Sequence, residues 1–244
     1  MRHATDSSAD YSAVAVRGDV SLPLDCLTTR VSLGESLSYA LQFVGKRVVD
    51  FLVAGLASLL LIPLFLAIAA FILLDSRGPV FFRQRRLGLG GRPFNMWKFR
   101  TMDTGAEARQ LELEARNESS GGVLFKIEDD PRVTRVGRLL RRTSIDELPQ
   151  LINVLLGDMS LVGPRPLPLR DSALLREVDE ARFLRRLGVL PGLTGPWQVG
   201  GRSELGYGEM LDMDIDYIQR WSLRRDLHLI ASTAVKAFTC PGAY

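Results

Sequence analysis

The chain has 244 residues, 46% of them hydrophobic, with a formal charge of +3 and a pI near 9.1. That suffices for one substantial core, and the excess charge is too small for a dedicated nucleic-acid binder. Two cysteines, Cys26 and Cys240, exclude a disulfide framework or a thiolate metal cage, and two histidines, His3 and His228, argue against a histidine triad or zinc site.

Residues 1 to about 35 are rich in Ser, Asp, Thr and Ala without a sustained hydrophobic period, and read as a tail. From Phe51 to Leu74 run 24 residues without a charge, enough at about 1.5 Å per residue to cross a bilayer core of about 30 Å. Pro63 divides that run into arms of 12 and 11 residues, because proline removes a backbone donor and clashes with the preceding turn. Lys46 and Arg47 lie before it, and Arg77, Arg83, Arg85, Arg86 and Arg92 after it. Two topologies fit: a kinked span, or a helix broken at Ile62-Pro63 that enters and leaves by one face. In both, the downstream basic residues place 75–244 in the cytoplasm.

Pro79-Val80-Phe81-Phe82 and Pro93 to Phe99 predict two strands around Gly88-Leu89-Gly90-Gly91, a glycine run that lacks the setting of a dinucleotide fingerprint and reads as a turn. Helical periodicity then predicts Gly105 to Arg116, Val133 to Arg142, Leu148 to Leu156, Ala173 to Leu187, Glu209 to Arg220 and Leu223 to Phe238. The expected fold is mainly α with a small β-hairpin element, an α+β arrangement. In the last helix Leu223, Leu227, Ile230, Ala234, Val235 and Phe238 form one stripe, suited to a core or to a headgroup region.

Several segments hold chemistry-bearing groups. Val133 to Arg142 sets Val133, Val136 and Leu140 on one face and Arg135, Arg138 and Arg142 on another, with Arg141 beside them: either a solvated basic face or a contact for phosphate or anionic lipid. Ser144-Ile145-Asp146-Glu147 has the form of a capping box, and Pro149 keeps the acidic pair at a helix start, where the dipole favours an ionised carboxylate. Capping and catalysis are both open for that pair. Gly163-Pro164-Arg165-Pro166 restricts its backbone so that Arg165 is aimed, and Pro191 to Arg202 combines turn formers with Trp197, Gln198 and Arg202, groups able to stack on a base or bind a sugar or phosphate.

In their order and spacing, these residues resemble the monotopic phosphoglycosyl transferases, the bacterial sugar transferase family. The resemblance covers roughly Gly45 to Tyr244. It rests on Lys46-Arg47 with the broken helix, Lys98-Phe99-Arg100-Thr101-Met102, Asp130-Pro131-Arg132, Ser144 to Leu151, Gly157-Asp158-Met159-Ser160, Gly163 to Pro166, and Pro191 to Arg202. One departure is Ile62 before the helix-breaking Pro63, where many members carry Ser.

The resemblance implies a variable tail over 1–43, a re-entrant membrane helix over 44–76 broken at Pro63, and a catalytic domain over 77–244 on the cytoplasmic face of the bacterial inner membrane. It implies transfer of a sugar 1-phosphate from a UDP-sugar to polyprenyl (undecaprenyl) phosphate with release of UMP. Asp146 is then the nucleophile of a covalent phosphosugar-aspartyl intermediate, Glu147 a second catalytic group, and Mg²⁺ is held by Asp146 and Glu147. Arg141 and Arg165 are the first candidates to grip the phosphates, followed by Lys98, Arg100, Gln198 and Arg202. Glucose or galactose is mildly preferred over acetylated amino sugars, the pathway would be exopolysaccharide or glycoconjugate synthesis, and a homo-oligomer is compatible. The competing readings are a membrane-anchored module that binds anionic lipid or nucleic acid without turnover, and a single-pass scaffold.

Overall fold

The computed structural model describes residues 33–106, 108–109, 113, 127, 129–200 and 206–239. Two helices open it, α1 (Leu33–Leu60) and α2 (Ile62–Asp75), bent by 59° across Leu61. Helical backbone thus begins ahead of the boundary expected at residue 44. Pro63 explains the bend: it lies in the first turn of α2, where its missing N–H is no loss, and its ring clashes with the preceding turn of a straight helix. No single described helix is long and apolar enough to cross a membrane, whereas the bent pair passes that test together. The pair is two-sided. Ala54, Ile68 and Ile72 are buried, while Leu52, Leu59, Leu60, Leu66 and Leu74 face outward, mostly exposed.

Strands β1 (Phe81–Leu87) and β2 (Pro93–Phe99) pair antiparallel from Phe81 opposite Phe99 to Leu87 opposite Pro93, around a turn in which Gly90 has φ 64°. The first strand therefore runs later than the Pro79 to Phe82 expected. Arginines enter it because strand alternation sends Arg83 and Arg85 to solvent, and the Arg83 guanidinium lies 5.2 Å from the Trp97 ring. Arg86 points inward and is 7% exposed. Phe99 meets Phe65 of α2 edge-on at 5.2 Å and stacks on Phe81 at 5.4 Å, which seats the hairpin on α2.

The remaining helices are α3 (Arg135–Arg142), α4 (Gln150–Leu156), α5 (Leu169–Val178), α6 (Glu180–Leu187), α7 (Pro196–Gly200), α8 (Tyr207–Gln219) and α9 (Leu223–Thr239). The single helix expected over Ala173 to Leu187 is two, because Asp179 is extended and its carboxylate accepts the Arg182 N–H at 2.8 Å, capping a new helix. Gly105 and Ala106 lie in a turn, and most of the helix expected from Gly105 to Arg116 falls outside the described residues. None of the described side chains in the stripe expected on α9 is fully buried: Leu223 and Ile230 are half-buried, Leu227, Ala234 and Val235 are exposed, and Phe238 lies beyond the described side chains, while the helix buries Leu229, outside that stripe.

A second sheet was not expected. β3 (Ser160–Val162) pairs in parallel with β4 (Gly192–Thr194). Glycines permit the contact, since a Cβ on Gly192 would lie 2.1 Å from the Gly163 nitrogen. α1 is tied to β3 by its own charges. Lys46 Nζ donates to the Val162 carbonyl at 2.9 Å and to Asp226 Oδ2 at 2.6 Å, while Asp50 Oδ1 accepts the Leu161 N–H at 3.0 Å. Tyr217 and Trp221 also donate to Asp226, at 2.6 and 3.1 Å, so the buried carboxylate is fully engaged. Lys46 is thus a buried strut and contributes little to the basic flank read from the sequence.

Candidate active site

Asn153 fixes the site's frame. Completely buried on α4, it accepts the Trp97 N–H at 2.9 Å and donates to the Asn95 carbonyl at 2.8 Å, joining α4 to β2. Residue 98 follows in that strand, and Glu147 lies in a 3-10 turn (Ile145–Glu147) just ahead of α4. The join therefore delivers Lys98 to Glu147: Nζ meets Oε1 at 2.8 Å. Arg165 closes from the other side, Nη1 donating to Glu147 Oε2 at 2.9 Å and Nη2 to Oε1. Such forked pairing is the strongest form of this contact.

Ser144 does not cap a helix, contrary to the capping box expected. Its φ of 56° and its N–H bond to the Arg141 carbonyl at 3.0 Å make it the left-handed residue that ends α3, with no side-chain cap of the following turn. The Glu147 carboxylate is consequently left for Lys98 and Arg165. α3 itself is pressed onto the strand end: a Cβ on Gly137 would lie 2.0 Å from the Thr101 carbonyl oxygen, and the Asp75 and Thr134 side chains accept the N–H groups of Val136 and Gly137 at 2.9 Å each. Arg141 then reaches Thr101 Oγ1 through Nε at 3.2 Å.

Asp146 is 6% exposed. Burial pushes its carboxyl up to about 6; Lys98, Arg141 and Arg165 oppose the rise and Glu147 adds to it. Glu147 is half-buried, and Arg165 and Lys98 outweigh the cost of desolvation and hold it far below the usual carboxylate range. Burial lowers the Lys98 ammonium, with Glu147 and Asp146 restraining the fall. The result is a carboxylate nearly out of water, able to ionise near neutrality and surrounded by cations, an arrangement suited to a phosphorylated substrate.

Arg86 was missed as a site residue in the sequence. Its guanidinium is lowered to about 9 by burial and by Arg165 beside it, and Nη1 donates to the Pro166 carbonyl at 3.0 Å. The signal was the strand alternation of β1, which turns this arginine away from Arg83 and Arg85.

Other expected groups stand elsewhere. Arg100 clamps the chain leaving α2, donating to the Ser76 carbonyl at 2.8 Å and to that of Arg77, so it is structural here. Gln198 donates to the Leu193 carbonyl at 3.2 Å, within its own loop. Trp197, 4% exposed, is core and offers no face to a base. Arg202 lies outside the described residues. Asp130 and Arg132 form a buried forked pair, at 2.9 Å (Nε to Oδ1) and 2.6 Å (Nη2 to Oδ2), that also holds the Ala106 carbonyl.

Among the described residues no group of three or more His, Cys, Asp or Glu side chains is placed to hold a metal ion. A Mg²⁺ ion needs few protein ligands when phosphate oxygens and water supply the rest, which Asp146 fits. Glu147 has both oxygens taken by Lys98 and Arg165 and would have to give one up.

A buried carboxylate ringed by cations suits a phosphorylated substrate, and the bent helix pair carries an exposed apolar side. The bacterial sugar transferase family model matches residues 41–240, and the chain belongs to that family. Similar proteins include the galactosyl transferase CpsE of Streptococcus agalactiae, 38% identical over 211 residues, 81% of this chain and 44% of that one. The exopolysaccharide production protein ExoY of Rhizobium meliloti is 39% identical over 204 residues, 82% of this chain and 88% of that one. A UDP-glucose:undecaprenyl-phosphate glucose-1-phosphate transferase of Caulobacter vibrioides is 44% identical over 207 residues, 82% of this chain and 72% of that one. This chain thus spans less than half of the streptococcal protein.

Proposed function

We propose that the chain is a phosphoglycosyl transferase that moves a sugar 1-phosphate from a UDP-sugar to undecaprenyl phosphate in exopolysaccharide or glycoconjugate synthesis. The observation that carries this reading is Asp146: a buried carboxyl that ionises near pH 6 among Lys98, Arg141 and Arg165, in a chain of the sugar transferase family. An Asp146 oxygen attacks the sugar-linked phosphorus, the bond to the uridylyl oxygen breaks, and UMP leaves. An oxygen of the carrier phosphate then attacks the same phosphorus, the acyl phosphate bond breaks, and the carboxylate returns.

The protein's part is placement and charge neutralisation, as phosphoryl transfer requires. Arg165, Lys98 and Arg141 supply cations for the diphosphate, and Arg86 adds positive field behind Arg165. Glu147 fixes Lys98 and Arg165 in place. Mg²⁺ held by Asp146 would neutralise phosphate charge and ease departure of UMP.

The α1–α2 pair is read as re-entrant in the bacterial inner membrane, with the site on the cytoplasmic face. Its outward apolar side and the exposed Arg77, Arg83, Arg85 and Arg92 after it support this placement. Glucose and galactose donors come first, following the names of the relatives.

Carrier-dependent UMP release by detergent-solubilised protein, with Mg²⁺, undecaprenyl phosphate and a panel of UDP-sugars, tests the proposal. The wild type is expected to turn over one donor, and Asp146→Asn to lose the rate by on the order of 10⁴-fold or more. A folded wild type that releases no UMP from any donor would instead support a non-catalytic module binding anionic lipid.

A further inference from the structure

The segment bearing Arg165 is held from behind by two guanidinium groups. Arg86 takes the Pro166 carbonyl. Arg186, on α6, donates through Nη2 to the carbonyl of Arg165 itself and through Nε to Asp214 Oδ2 of α8 at 2.7 Å. The Arg186 and Asp214 side chains are only 4% and 0% exposed. Neither α6 nor α8 contributes a group to the cluster around Glu147.

A buried ion pair is weak as a stabilising device, since desolvation offsets its Coulombic gain and apolar side chains of similar size often serve as well. This one spends a guanidinium arm on one backbone carbonyl. Pro164 and Pro166 already limit the torsions on either side of residue 165, so fixing that carbonyl fixes the direction in which the Arg165 side chain leaves the backbone.

The geometry points to Arg186, itself held by Asp214, as a positioning residue that aims Arg165 into the site. This rests on the phosphate-gripping role of Arg165 proposed above. Transfer at phosphorus is sensitive to placement, and a displacement of about 1 Å costs roughly 10²-fold.

A double-mutant cycle on the full chain, read as kcat for UMP release, separates aiming from support. Arg186→Met with Asp214→Leu removes the pair without leaving a lone buried charge, and a melting curve checks the fold. In the wild-type background the expected loss in kcat is roughly 10²-fold. In an Arg165→Lys background the same change should cost about 3-fold or less, because there is no longer a fork to aim. Arg186→Lys, which keeps a charge beside Asp214 but has one ammonium for two acceptors, is a second probe, expected to lose roughly tenfold in kcat.

Equal losses in both backgrounds, or no loss in the first, would overturn the inference and leave the Asp146 chemistry standing. So would an Arg165→Lys protein as active as wild type. A folded wild type without UMP release would remove the catalytic reading and the inference with it.

Discussion

On one side of the 145–147 turn, Glu147 is half-buried against Lys98 and Arg165 and stays ionised to very low pH; on the other, Asp146 is buried with weaker cationic support and holds its proton up to about 6. The two carboxyls are adjacent in sequence and desolvation pushes both upward, so burial alone does not separate them. Geometry does. Glu147 receives charge-assisted bonds at both oxygens, whereas the cations around Asp146 act on it chiefly through space. One position stores stability, and the other forgoes it for reactivity.

Removing the charge from each side should therefore act in opposite directions. Glu147→Gln takes from the half-buried Lys98 and Arg165 the carboxylate that both bind and should lower stability by about 3 kcal/mol, read as a fall in Tm at neutral pH. Asp146→Asn removes an ionised group the fold disfavours and should raise stability by on the order of 1–3 kcal/mol at pH 8. A fall in Tm for Asp146→Asn would show that its carboxylate is structurally paired and would erase the contrast.

Acidification sharpens the comparison through both activity and stability. The Asp146 pKa is raised by folding, so this residue contributes stability below the ordinary aspartate range and that contribution is lost as pH rises through about 6. Glu147 behaves oppositely: its contribution is present above the ordinary glutamate range and is lost on strong acidification. The proposed chemistry needs Asp146 ionised, so kcat/KM should fall about tenfold per pH unit below about 6 and level off above it. A profile flat from pH 5 to 8 would contradict a nucleophile at this position. The smallest effect is at the hinge of the turn, where Ser144→Gly relieves a left-handed residue and should gain about 0.5 kcal/mol or less in a melt.

The local part of this arrangement was legible in the sequence. Pro63 marks the bend, the 3.6-residue period marks α3, α4 and α8, and the acidic pair lies before α4 as Pro149 required. What failed depended on partners distant in the chain. Ser144 has the composition of an N-cap, but α3 claims it as its last turn because Gly137 lets that helix sit directly on Thr101. Arg100 follows Lys98 by two residues yet turns to the end of α2, and Lys98 reaches Glu147 only because Asn153 splices β2 to α4. β3 and β4, three residues each, are too short for a periodic signal, and the glycines that let them meet read as turn formers.

The Lys46 and Asp50 contacts bear on whether the globular part could exist by itself. A fragment beginning after Asp75 would leave Asp226 facing Tyr217 and Trp221 without its cation, and the Leu161 amide without an acceptor. It would also uncover Met159 and Leu161, now packed beside Ala54, and present a bare strand edge to other copies. The bent helix pair is therefore less an anchor added to an independent domain than one wall of it, and trimming it for solubility should yield an aggregating product.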